Sequence, residues 1–165
     1  MFRRLTTRQT QQGQQNRDGT ATVELAVVLP IFMTILLGIA EMSRGLDVSE
    51  RLASAVRQGG RAAASDLSSV MPSGTTLNQK VINDIRNILT ASGIDGEKVT
   101  VTITHADGPS EGNTFDLSDG RNYLKYYKVT ATVDYADVGL FPKILSNQKL
   151  GASVVFRLGR SSLTQ

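Results

Sequence analysis

The first eighteen residues are mostly polar. Gln9, Gln11, Gln12, Gln14, Gln15 and Asn16 surround Gly13 with almost nothing to bury, and this composition predicts a disordered arm. The character then inverts. From Leu25 to Ala40 run sixteen uncharged, mostly apolar residues, bracketed by Glu24 and Glu41. As a helix they span about 24 Å, somewhat less than the ~30 Å hydrocarbon core of a bilayer. Adding Thr20–Val23 and Met42 closes the gap, provided that Glu24 lies near a membrane surface or meets a partner. A buried core helix fits the same window, but the segment is apolar all round, which favours a transmembrane helix over residues 20–42. Pro30 within it removes one helical hydrogen bond and kinks the axis.

Beyond the apolar run, residues 43–65 continue with helix formers and no proline. Leu52, Ala53, Val56, Ala63 and Ala64 can share a stripe, with Arg44, Asp47, Arg51, Arg57 and Arg61 largely off it. Asp47 and Arg51 have the i,i+4 spacing of a helical ion pair. Gly59-Gly60 weakens the helix and marks a place for it to bend or end. One continuous spine over about 21–58, or two helices hinged near Gly45, both satisfy the pattern. After Pro72 and Ser73-Gly74, the residues Leu77, Val81, Ile85, Ile88 and Leu89 recur with helical spacing up to a stop at Gly93.

Three strands are predicted next. Val99–Thr104 alternates strictly and is β-branched at every position. Tyr127–Tyr135 places Val129, Ala131, Val133 and Tyr135 on one face, and Lys149–Leu158 does the same with Leu150, Ala152, Val154, Phe156 and Leu158. The connection 106–122 carries Gly108, Pro109, Gly112, Asp119 and Gly120 and reads as a flexible surface loop. A shorter connection, 136–148, contains Leu140-Phe141-Pro142, whose apolar side chains are placed to cover the sheet. The expected class is α+β: a long N-terminal helix, membrane-spanning in its first half, with a second helix and a small antiparallel sheet.

Charge and composition narrow the function. The net charge of +3 comes entirely from residues 1–18, where Arg3, Arg4, Arg8 and Arg17 face only Asp18; the other 14 basic residues are balanced by 14 acidic ones. A basic arm on a neutral body, without a basic face interleaved with aromatics, argues against a nucleic-acid partner. The same arginines precede the apolar run, so the positive-inside bias keeps the N-terminus cytoplasmic and sends the chain after about residue 43 across the membrane. Cysteine is absent and His105 is the single histidine, which removes disulfides, thiol chemistry and His-pair metal motifs.

The boundary before the apolar run is Gly19-Thr20-Ala21-Thr22-Val23-Glu24. A basic leader, a glycine, a glutamate as the fifth residue after it and then an apolar helix resemble the type IV prepilin processing site. The longer string, with Leu25-Ala26, Leu29-Pro30, Gly38-Ile39-Ala40-Glu41 and Arg44, resembles the TadE-like family of minor pseudopilins. That family typically reads G-x-A-x-V-E-F-A-x-x-x-P and then an apolar stretch ending in G-I-x-E; Leu25 departs from it where an aromatic is usual. The resemblance covers about residues 15–65.

The resemblance implies a leader over 1–19, cut by a prepilin peptidase between Gly19 and Thr20, an anchor over 20–42 and an exported domain over 43–165. It implies a bacterial inner-membrane protein that helps to assemble a Tad-type (Flp) pilus or a related secretion apparatus. Its partners would be other pilins or pseudopilins and the assembly platform. An unpaired carboxylate inside a bilayer costs a few kcal/mol. The Thr20 amine of a neighbouring subunit would neutralise Glu24 and set the register between packed helices.

No catalytic constellation is visible. His105 beside Asp107 reads as a surface histidine rather than a ligand, and Asp107, Glu111, Asp116 and Asp119 lack the order of a Ca²⁺ loop. No enzyme activity, metal or cofactor is expected. One rival remains: Gly38-Ile39-Ala40 resembles the end of a secretory signal, and cleavage before Glu41 would release a secreted or membrane-anchored ligand-binding domain.

Overall fold

The computed structural model describes residues 12–64, 74–141 and 147–159. Arg3, Arg4, Arg8, Ser65, Pro72, Ser73 and Pro142 lie outside them. The elements run in the order α1 (Gln12–Ala64), α2 (Leu77–Ala91), β1 (Thr100–His105), β2 (Tyr126–Asp134), α3 (Tyr135–Val138) and β3 (Lys149–Arg157). Short 3₁₀ turns at Gly96–Lys98 and Gly120–Asn122 precede β1 and β2. The class is α+β, as the sequence predicts. The chain divides into two compact units, residues 1–42 and 43–165.

The first unit contains the leading part of α1. That helix begins at Gln12, so residues 12–18 of the expected disordered arm are helical. Glutamine is a fair helix former, and extending an existing helix fixes one residue for each bond gained, which is easier than nucleating one. The helix passes through Pro30, and the Thr34 hydroxyl donates to Pro30 O at 2.8 Å. The side chains of its apolar run are exposed on every side, from Val23 at 66% through Phe32 at 53% to Ile39 at 61%.

In the second unit α1 continues unbroken through Gly45, Gly59 and Gly60. No hinge forms near Gly45, and the glycine pair neither bends off nor ends the helix as its low propensity suggested. Close packing explains its survival: a Cβ at Gly59 would lie 2.2 Å from Ile85 Cγ1, and one at Gly60 would lie 2.0 Å from Phe156 Cε2. The buried row is Val48, Leu52, Ala55, Val56, Gly59, Gly60 and Ala63. Ala53, expected on this stripe, is only half-buried, while Val48 and Ala55 belong to the core.

α2 starts where the Thr76 hydroxyl accepts from the Gln79 amide at 3.2 Å and ends before Gly93, whose φ of +87° suits glycine. It buries Leu77, Val81, Ile85 and Leu89. The sheet has the order β1-β2-β3 and both pairings are antiparallel, with Ile103 opposite Val129 and Val129 opposite Val154. Val129, Ala131 and Val133 of the central strand are buried, whereas Leu150, Ala152, Val154 and Phe156 of β3 are only partly covered. Tyr135, predicted as the end of a strand, instead opens α3 and is buried with Val138.

The connection 106–122 is not a loose surface loop. Its Phe115 and Leu117 are fully buried, and the Phe115 amide donates to Ile103 O at 3.0 Å along the free edge of β1. The Asn78 side chain holds it from α2, donating to Phe115 O at 2.6 Å and accepting from the Leu117 amide at 2.9 Å. Two apolar residues among many polar ones are enough to anchor a loop whose composition alone points to solvent.

Tyr127 joins β2 to α1. Its hydroxyl donates to Gly60 O at 2.9 Å, and burial pushes its pKa up to about 12. The unfolded chain releases this proton near pH 10, so stability should fall by about 1.4 kcal/mol per pH unit from there toward the folded pKa. A Tyr127→Phe variant should lose about 1 kcal/mol at neutral pH, because the hydroxyl's hydrogen bond to Gly60 O is lost. It should also show a shallower alkaline limb in urea melts; a limb identical to that of the unaltered protein would contradict the assignment.

Candidate functional site

Gly19, Thr20 and Glu24 all lie in the helical, exposed leading part of α1. Thr20 and Glu24 are one helical turn apart, so they share a face, separated by about 6 Å along the axis. A Cβ at Gly19 would meet nothing within 4 Å, so the glycine there is not a packing requirement. Gly19 is also a locally weak point of the helix, since glycine is about 1 kcal/mol less favourable than alanine in a helix interior.

Residues 19–61 match the family model described as TadE-like protein. This segment is similar to that family. The match begins at Gly19, crosses the whole apolar run and stops at Arg61 in the last turn of α1, leaving α2 and the sheet outside it. The TadE-like family is associated with assembly of the Tad pilus and comprises structural pilus components. No curated protein and no solved structure matches the chain. Among the described residues, one helix is long and apolar enough to cross a membrane, and it contains this TadE-like segment; none of its most apolar window is buried.

The C-terminal half of the TadE-like segment carries a charge cluster. Asp47 pairs with Arg51 at 2.9 Å and with Arg44 at 3.1 Å. The hydrogen bond from Arg51, reinforced by the charge of Arg44, holds the Asp47 carboxyl below the usual carboxylate range against some desolvation. Whatever this carboxylate adds to stability is therefore present above its unfolded pKa and is lost as pH falls through the lower folded one. Arg44 Nε also donates to Val138 O at 3.0 Å, and Arg51 donates to Ser92 O. The spacing showed the Asp47–Arg51 pair, but both carbonyl partners are remote in sequence and no local signal announces them.

The other candidate ligands do not converge. His105 stands edge-on to Phe115 with ring centroids 4.7 Å apart. The Asp119 carboxylate is taken by Arg121 at 2.9 Å, and Asp116 accepts from the Ser118 amide at 2.8 Å. Asp107 and Glu111 are surface residues of the same loop, Asp107 and Glu111 both being exposed. Among the described residues no group of three or more such side chains is placed to hold a metal ion.

Proposed function

We propose that this chain is a membrane-anchored minor pseudopilin acting structurally in assembly of a Tad-type (Flp) pilus or a related secretion apparatus. The carrying observation is the coincidence of the TadE-like match over 19–61 with a continuous helix whose apolar run is exposed on all sides. Such a surface needs lipid or other helices around it.

On this reading a prepilin peptidase cuts between Gly19 and Thr20, the anchor spans residues 20–42 of the inner membrane, and the unit 43–165 stands outside the cytoplasm. The chain has no catalytic role; it contributes a helix to lateral packing with pilins, pseudopilins or the assembly platform. Glu24 takes the Thr20 amine of a neighbour. A neighbouring helix displaced by four residues, about 6 Å, brings that amine level with this carboxylate while both face the contact. The match running through Ala40 to Arg61 supports this reading over a removable signal ending at Ala40.

The direct test is the N-terminus and intact mass of the protein from its native membrane fraction. A start at Thr20 in a membrane-held protein is expected; a start at Glu41 in a soluble fraction would instead establish the secreted binding domain. For Glu24→Ala, insertion should be unchanged while partners are lost on co-purification. Normal co-purification of this variant would sink the pairing.

A further inference from the structure

The strand β2 runs antiparallel to the part of α1 that follows residue 42. At one end the Tyr127 hydroxyl meets Gly60 O, and at the other the Tyr135 ring lies 3.6 Å from where a Gly45 Cβ would stand. The chain leaving β2 is thus returned to the beginning of its own unit. Arg44 fastens it there through the bond to Val138 O at 3.0 Å.

Arg44 is two residues past Met42, where the anchor ends, so its backbone is within about 7 Å of that point by chain length alone. Three residues beyond Val138 the chain reaches Phe141, at most about 10 Å further on. Leu140 and Phe141 are 54% and 37% exposed, and Leu46, on the first turn of α1 beyond the anchor, is 57% exposed. Two adjacent apolar side chains, one aromatic, are therefore tethered within reach of the bilayer surface, where such residues are favoured.

We propose that Leu140 and Phe141 form a second membrane contact, inserting at the boundary between lipid headgroups and acyl chains. The occupant of this surface is lipid, because Arg44 ties the chain that carries it to a position two residues past the end of the anchor. The contact adds a second attachment point to that of the single helix. It rests on the anchor over residues 20–42, and the test separates the two.

The chain has no tryptophan, so one introduced residue reports alone. Full-length Phe141→Trp, Phe32→Trp and Tyr123→Trp variants are placed in vesicles of phosphatidylethanolamine and phosphatidylglycerol, with and without brominated acyl chains. Phe141→Trp should show blue-shifted emission and lose most of it to bromines near the headgroups. Phe32→Trp, within the anchor, should be quenched most by bromines deep in the chain. Tyr123→Trp, beyond the Gly60 end of β2 and 49% exposed at the native tyrosine, should be unaffected. Quenching at 32 without quenching at 141, or equal quenching at 141 and 123, overturns the lipid contact and leaves the anchor intact. No quenching at 32 overturns the anchor, and the contact with it.

Discussion

Alanine at Gly59 is expected to destabilise the C-terminal unit by about 1–2 kcal/mol, although alanine is the better helix former. The helical preference alone would add up to about 1 kcal/mol of stability. The opposing effect is steric. The new Cβ would lie 2.2 Å from Ile85 Cγ1 and 2.7 Å from its Cδ1. Ile85 is completely buried, so its side chain has no open space into which to turn. Overpacking a dense interior costs about 1–3 kcal/mol and occasionally more, which outweighs the gain.

Gly45→Ala in the same helix should behave oppositely. Its Cβ would make an ordinary 3.6 Å contact with Tyr135, so stability should rise by up to about 1 kcal/mol. Urea melts of the full-length protein in detergent decide the sign at each position. The double variant Gly59→Ala with Ile85→Ala should lose less than the sum of the two single losses, since removing Cγ1 and Cδ1 makes room for the new methyl. Strict additivity would show that Gly59 and Ile85 are not coupled.

A Gly19→Val variant should accumulate as the uncut precursor, still carrying the residues before Thr20. The substitution is clean in folding terms, because a Cβ at position 19 meets nothing within 4 Å. On the proposed reading its effect falls chiefly on recognition by the peptidase. On the proposed pairing, a precursor without the Thr20 amine should also fail to supply the charge for its neighbour's Glu24. It should then lose the same partners as Glu24→Ala. An unchanged mature mass in the membrane fraction would refute the cleavage site.

The elements with strong periodicity were legible in advance. β1, β2 and β3 fall within one residue of the expected alternating segments, and α2 buries Leu77, Val81, Ile85 and Leu89 on the expected face. Reading failed where small residues or distant partners decide. Hydropathy cannot separate Ala53 from Ala55, yet only the second belongs to the core. Gly59-Gly60 looked like a weakness because Ile85 and Phe156, which require the glycines, are far along the chain. In the loop, Phe115 and Leu117 alternate with polar neighbours like a short strand, a signal hidden by the surrounding Gly, Pro and Asp. Gly19, Thr20 and Glu24 were legible as a motif only, and the structure shows them exposed on one helix.

The joining of Gly60 to Tyr127 and Phe156 also orders events in time. α1 is the first element to be synthesised, yet Tyr127 lies 67 residues after Gly60 and Phe156 sits in the last strand. At a synthesis rate of 5–20 residues per second, the row from Val48 to Ala63 waits on the order of ten seconds for its cover. During that interval the nascent chain presents an apolar stripe to its surroundings. A ribosome stalled before α2 would leave the stripe exposed indefinitely, making such incomplete chains ready prey for chaperones and proteases.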